Sequence, residues 1–473
     1  MAGATAAITE VWENDIVPTL SDFITIPNVS PAYDPDWAGA GHMDAAVALV
    51  RDWCAARPIE GLTVDVRELP GRTPLILCDV PASPGYDGDD TVLLYGHVDK
   101  QPPMEGWSDG LGPWTPVRRG DRLFGRGAGD DGYAAFAALA AIEELQRRGA
   151  PHARCVAFVE ASEESGSPDL PAHIEALGDT LGETSFVVCL DSGCATYDTL
   201  WATTCLRGLI EVKVRVDVLD EGVHSGSSGG IVPSSFRILR LLLDRIEDAT
   251  SGQILLPELH VDIPEDRRRE LAVTATELGA IVAGEFPIVS GGRYCHDGDP
   301  VAQMIARTWE PTLAYIGADG FPPTGSAGNV LRPYTTLSLS FRLPPTADPG
   351  PAGEAIAAAL QAEPPYGARV TVEEVASDWG FNAPPFAPWL VDAMEAASQA
   401  GWGQAARTYG EGGSIPFMAM LGSMFPEAQF FVTGVMGPGS NAHGPNEFID
   451  LPYATALTGA VADVVAAHAA RPR

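Results

Sequence analysis

The chain has 473 residues, enough for two or three domains at ~100–200 residues each, and its 45% hydrophobic and 19% charged residues are those of a globular protein, which excludes disorder for most of its length. Against 63 Asp+Glu stand only 29 Lys+Arg, a net charge of -34 that repels phosphate backbones and anionic lipid and excludes nucleic acid and membrane surfaces as expected partners. The seven scattered cysteines form no CxxC pair, no apolar run of ~18 residues occurs, and Met1–Leu20 lacks a basic start and an apolar stretch, so the expectation is a cytoplasmic protein with core thiols.

Strand-length apolar runs come first at Thr91–Tyr95, Arg154–Val159 and Phe186–Leu190. Between the first two, Gly132–Arg148 places Phe136, Leu139, Ile142 and Leu145 at helical spacing, which predicts a βαβ-like unit with the helix on the sheet. The texture changes near Leu206–Gly208. An alternating strand (Ile210–Val218), a Gly/Ser-rich loop (His224–Gly230) and a helix (Ser234–Ile246) follow, then strands at Thr335–Leu343 and Ala368–Val375. After the Pro-rich stretch Phe381–Pro388, a helix (Trp389–Ala400), a strand (Gln429–Thr433) and a terminal helix (Pro452–His468) return to the earlier style. The predicted organisation is an α/β domain built from residues 1–206 and 384–473, with a smaller domain, 207–383, inserted.

Five segments place acids or imidazoles just past predicted strands or their turns: Gly96-His97-Val98-Asp99, Gly127-Ala128-Gly129-Asp130-Asp131, Ser162-Glu163-Glu164-Ser165-Gly166, Leu190-Asp191-Ser192 and Asn441-Ala442-His443-Gly444. Loops beyond the carboxyl ends of strands in an open α/β sheet line one crevice, so these groups are expected to converge. Two imidazoles with several carboxylates and no thiolate motif suit zinc or another borderline divalent ion. A carboxylate can bridge two ions ~3.5–4 Å apart, and such a pair readies water and polarises a carbonyl, the requirement for amide hydrolysis.

The run Gly96-His97-Val98-Asp99, Gly125-Arg126-Gly127-Ala128-Gly129-Asp130-Asp131, Glu163-Glu164-Ser165-Gly166, Asp191, His224-Ser225-Gly226, Glu411-Gly412-Gly413-Ser414-Ile415-Pro416 and Ala442-His443 resembles the M20 metallopeptidases, most closely their carnosinase-type dipeptidase branch. The resemblance implies a mixed-sheet zinc-peptidase catalytic domain with an inserted α+β lid and dimerisation domain. It implies that Asp130 bridges two divalent ions, zinc first with manganese or cobalt as alternatives. His97 and Asp191 then complete one site, and Glu164 and His443 the other. Glu163 is the implied general base, taking a proton from the attacking water and delivering it to the leaving amine. Asp99 is expected to fix the His97 tautomer, and Asp130–Asp131 is a candidate cis bond. By the same resemblance His224 reaches the partner subunit's active site in a homodimer, Asn329 assists at the same carbonyl, Arg342 clamps a substrate carboxylate, and Glu411 and Ser414 contact the ends of the peptide.

Two positions depart from the dipeptidase pattern. Gly410 stands where an arginine commonly precedes Glu-Gly-Gly-Ser, and Ala383 where that branch tends to have a histidine. The expected substrate is a dipeptide or similar small carboxylate-bearing amide; an N-acyl amino acid deacylase or desuccinylase on the same metals is the alternative, and a non-catalytic metal-binding homologue the third. The Gly125–Gly129 run lacks G-x-G-x-x-G spacing and precedes two aspartates, which excludes a dinucleotide role. His42, His152, His173, His260, His296 and His468 are read as structural or surface groups, and Trp107 and Trp114 as loop packing.

Overall fold

A computed structural model describes residues 6–279, 286 and 288–472. The chain divides into two compact units. The first comprises Met1–Thr204, Ala383–Tyr409 and Met420–Arg473, the second Cys205–Asn382 and Gly410–Ala419. The fold is mixed α/β, with the mixed sheet in the first unit.

That sheet runs in the order Thr63–Arg67, Leu75–Val80, Arg154–Glu160, Thr91–His97, Thr184–Cys189, Gln429–Val432 and the strand beginning at Trp201. The four central strands from Arg154–Glu160 to Gln429–Val432 are parallel, and the strands flanking them are antiparallel. Thr91–His97 is buried along its whole length, which is why its sequence reads as a continuous apolar run rather than an alternating one. It extends two residues beyond the periodicity signal, so His97 is its last residue, opposite Glu160 on the neighbouring strand.

The helix Ala134–Arg148 packs against both of these strands. Its alanines let it lie close to the sheet, and it ends with Arg147 and Arg148 in the last turn and Gly149 at φ 65, where a left-handed residue closes the helix. The terminal helix Leu451–Ala469 starts at an Asp450 cap, whose side chain accepts the Tyr453 N–H at 3.1 Å. It packs on Ala134–Arg148 and on Pro388–Trp402. Trp12 Nε1 donates to Thr458 Oγ1 at 2.9 Å, tying the N-terminal helices to it.

The second unit holds a four-stranded antiparallel sheet ordered Thr312–Asp319, Tyr334–Leu343, Gly208–Asp217 and Arg369–Asp378. Ile210, Val212, Val214 and Val216 alternate inward. They form a core with Ile238, Leu239 and Leu242 of the helix Ser235–Leu243 and with Ile356 and Leu360 of Pro349–Gln361. Where the sequence predicts a loop through His224–Gly230, residues Ser225–Ser228 make one helical turn; Ser228 Oγ donates to the His224 carbonyl at 2.9 Å and closes it.

Candidate metal centre

Six acid or imidazole groups reach the same end of the parallel strands. His97 terminates its strand, Glu163 and Glu164 open the 3-10 turn Glu163–Ser165 just after Arg154–Glu160, and Asp191 lies two residues past Thr184–Cys189. His443 sits in the loop after Gln429–Val432, and Asp130 in the turn that leads into Ala134–Arg148. His97 Nε2 lies 3.2 Å from Asp130 Oδ1 and 3.6 Å from Asp191 Oδ1. On the other side of the aspartate, His443 Nε2 lies 3.0 Å from Asp130 Oδ2 and 3.3 Å from Glu164 Oε2. One ligand atom from each of His97, Asp130 and Asp191 lies within 4.8 Å of the others, and the same holds for Asp130, Glu164 and His443. Asp130 thus turns one oxygen to each group.

Glu163 belongs to neither triad. Its Oε2 is 4.0 Å from His97 Nε2, and its side chain is 11% exposed. The Asp99 carboxylate holds the turn beneath it, accepting the Glu163 N–H at 3.1 Å and the Glu164 N–H at 3.0 Å. The His97 Nδ1 faces Asp99 through the backbone carbonyl at 3.1 Å and the carboxylate at 3.4 Å. The Asp130–Asp131 bond is cis.

The electrostatics are those of a centre short of positive charge. Burial, with Asp191 next in weight, pushes the Glu163 carboxyl well up. Burial and then Asp130 do the same to Glu164, and burial raises Asp191 to about 6 despite His97. Asp130 is also buried, but hydrogen bonds with His443 and His97 hold it below the usual carboxylate range. His97, for which burial favours the neutral ring, is pushed well up by Asp191 and Asp130. Two imidazoles cannot neutralise this many carboxylates. Glu164 Oε1 and Asp131 Oδ1 are buried without a hydrogen-bond partner. An orphaned carboxylate oxygen beside a set of hard oxygens and imidazoles fits a divalent cation in each triad.

Several residues around the centre have no role assigned from the sequence. Gln101 Nε2 donates to Glu164 Oε2 at 2.5 Å. Glu160, buried at the end of its strand and pushed up to about 7 by burial, receives the Tyr95 hydroxyl at 2.8 Å and the Ser167 hydroxyl at 2.8 Å. Asp131 accepts the His97 N–H at 3.2 Å. Arg126 and Glu447 form a buried ion pair. The only cue to Glu160 in the sequence is an acid at the end of an otherwise apolar strand.

The second unit assembles its candidates in two groups. His224 and Asn329 meet through a short ladder, with His224 opposite Val330 and the Ser225 N–H donating to the Asn329 carbonyl at 2.9 Å; both residues are exposed. Arg342 Nη1 donates to Ser414 Oγ at 2.8 Å. The turn that carries Glu411 and Ser414 is pinned by Arg207, whose N–H donates to the Gly413 carbonyl and whose Nε donates to the Gly412 carbonyl at 3.0 Å. A Cβ on Gly410 would lie 2.5 Å from Cys205 Sγ, so this backbone tolerates no larger side chain there. Ala383 is buried at 1% exposure. The unassigned histidines His152 and His173 are buried and bonded to the Ala153 and Thr73 carbonyls, both at 2.8 Å.

A family model described as peptidase family M20/M25/M40 matches residues 93–467. The cysteinylglycine-S-conjugate dipeptidase of Corynebacterium striatum is 26% identical over 367 residues, covering 76% of this chain and 77% of that protein. Among solved structures, the dipeptidase Dug1p of Saccharomyces cerevisiae superposes with a TM-score of 0.80 at 20% identity, covering 100% of both chains. Human carnosine dipeptidase 1 superposes at 0.78 with 20% identity, over 99% of this chain and 100% of that one.

Proposed function

Because this chain belongs to peptidase family M20/M25/M40, we propose that it is a metal-dependent hydrolase that cleaves the amide bond of a dipeptide or a similar small substrate bearing a carboxylate, with two divalent ions, zinc first, held by its two triads. The observation that carries the reading is Asp130 shared between His97–Asp191 and Glu164–His443, with Glu163 4.0 Å from His97 and in neither triad. Ions held there supply Lewis acidity toward the scissile carbonyl and lower the pKa of water.

The chain's own groups do the rest. Glu163 takes a proton from the attacking water and returns it to the leaving amine, a task for which a carboxyl raised by burial is suited, since its proton affinity lies nearer neutrality. Asp99 keeps the Glu163–Glu164 turn in place through two backbone N–H groups. Arg342, with Ser414 bonded to one arm of its guanidinium, takes the substrate carboxylate on its remaining N–H groups, and Glu411 takes the amino end. His224 of the partner subunit, with Asn329, stabilises the carbonyl oxygen as charge develops.

A homodimer is supported by the second unit's open sheet edge. Among the described residues no strand pairs with the outer side of Thr312–Asp319, and Ile316 and Phe321 there are 56% and 53% exposed, with Ile231 at 83%. Six buried free thiols support a reducing, cytoplasmic compartment. No helix among the described residues is long and apolar enough to cross a membrane.

The test is hydrolysis of a free-amine dipeptide such as Cys-Gly by chain stripped of metal and then reloaded with Zn2+. Turnover should vanish on stripping and return with two equivalents; undiminished hydrolysis after stringent chelation refutes the reading. Glycine at 410 and alanine at 383, in place of the arginine and histidine of the dipeptidase pattern, leave N-succinyl amino acids as the second substrate class, and a side-by-side comparison decides between the two.

A further inference from the structure

The His443 imidazole is exposed, with 57% of its side chain accessible, and its backbone lies at φ 64 in the left-handed region that side chains other than glycine adopt at a cost. Asn441 at φ 55 and Asn446 at φ 63 share that conformation in the same loop. A loop of this kind, with its functional ring unpacked, needs an external restraint on its backbone.

Arg126 supplies one. Its Nη2 donates to the His443 carbonyl at 3.0 Å and to the Gly444 carbonyl at 2.9 Å. Nη1 donates to Glu447 Oε2 at 2.5 Å, and Nε to the Pro102 carbonyl at 3.2 Å. The other Glu447 oxygen accepts the Gly127 N–H at 2.9 Å, three residues before Asp130. Both members of the pair are 1% exposed. Three segments are therefore joined through one guanidinium and one carboxylate: the strand-end loop after His97, the turn of Asp130, and the loop that carries His443 and Glu447.

We propose that the buried Arg126–Glu447 pair is a positioning device for the Asp130–Glu164–His443 triad, fixing the His443 loop against the Asp130 turn so that this triad is preformed, whereas the His97–Asp130–Asp191 triad does not depend on it. His97 and Asp191 hang from strand ends that the sheet already orders. Glu164 lies in a turn held by the Asp99 carboxylate, whereas His443 lies in a loop that Arg126 and Glu447 tie to the Asp130 turn, beside its own backbone bonds from Gly444 to Asn441 and from Phe448 to Ser440. A lysine at 126 keeps the charge but has a single Nζ, which cannot serve Glu447 and two carbonyls in the geometry of a planar fork. The inference rests on the reading of the triads as metal sites.

The test is Zn2+ titration of the stripped full-length chain, followed by calorimetry and by metal analysis after dialysis. The wild-type chain should take up two ions. Arg126→Lys should keep one at unchanged affinity and bind the other 10–100-fold more weakly, the loss typical of removing an outer partner of a ligand. His443→Ala should weaken the same ion, and Arg126→Lys added to His443→Ala should cause no further loss, a non-additivity that general destabilisation does not produce. If Arg126→Lys fails to fold by circular dichroism, Glu447→Gln carries the same cycle with a smaller shift. Arg154→Lys, at the Arg154–Asp79 pair of the same unit, should leave both ions in place. A wild-type chain that binds no ion overturns the metal-centre reading itself. Two ions in the wild type, with both affinities unchanged or both equally reduced in the variant, or an additive double variant, overturn the positioning role alone.

Discussion

Replacing Glu163 by glutamine separates the catalytic role proposed for this buried carboxyl from its effect on stability. The amide keeps the shape and both anchors of the turn, since Asp99 holds residues 163 and 164 through their backbone N–H groups at 3.1 and 3.0 Å. Neither candidate triad includes residue 163. On the proposed mechanism the variant lacks its proton acceptor, and general acid–base groups contribute about 10²–10⁴-fold, or about 3–6 kcal/mol of transition-state stabilisation at ~1.4 kcal/mol per decade. Zn2+-loaded Glu163→Gln should therefore hold two ions and lose 10²–10⁴-fold in kcat with KM little changed.

The stripped chain should respond in the opposite sense. Burial, then Asp191, raises the folded Glu163 carboxyl well above its ordinary 4.5. The folded state thus holds that proton to higher pH than the unfolded state does, and stability falls as pH climbs out of the ordinary carboxylate range toward the folded value. Glutamine does not titrate and escapes this loss. Stripped Glu163→Gln should match the wild type near pH 5 and exceed it at pH 8 by roughly 1–3 kcal/mol, the cost of a poorly paired buried group, which is several degrees in Tm for a unit of this size. Steady-state kinetics with measured metal content and thermal melts from pH 5 to 8 read both arms. More than a tenth of wild-type kcat with two ions bound, or a stripped variant that melts below the wild type at pH 8, refutes the reasoning.

At the far end of the strands, Asp90 opposes its own burial by receiving hydrogen bonds from Ser185, Tyr86 and Arg471, which hold its carboxyl below the ordinary 3.8. A depressed carboxyl contributes stability above its unfolded value and loses it as pH falls through the folded one. Asp90→Asn should cost about 1 kcal/mol at pH 7, discounted for solvent screening, with the gap narrowing below pH 4 in urea melts; a constant penalty down to pH 3 contradicts the assignment. Ile316→Lys, on the exposed strand Thr312–Asp319, should convert dimer to monomer in light scattering and depress turnover while both ions stay bound, whereas an unchanged mass excludes this edge from the interface.

The central strands were readable because burial on both faces leaves no alternation, so runs such as Thr91–Tyr95 stand out as apolar blocks. Thr63–Arg67 was not, since Thr, Asp and Arg occupy three of its five positions and it lies at the edge of the sheet. Each acid and imidazole of the two triads has a local cue, a strand end or a glycine-flanked turn. The pairing of Arg126 with Glu447 has none, although Arg126 itself lies between two glycines of the motif, because its partner is 321 positions away and meets it only through tertiary packing. The grouping of Gly410–Ala419 with the second unit is hidden for the same reason, resting in part on Arg207 reaching the Gly412 carbonyl.

The strand Gln429–Val432 lies between Thr184–Cys189 and the strand that begins at Trp201, pairing with both. More than two hundred residues separate the end of the strand that begins at Trp201 from the strand that lies between it and Thr184–Cys189, so both neighbours are synthesised long before the segment that pairs with them. A chain cut short at 400 residues that folded its sheet would leave two edges without their partner strand, the kind of exposed edge that invites pairing with another chain. His443 follows this strand, so Asp130, Glu164 and His443 come together only in a chain that has also made the segment filling the gap.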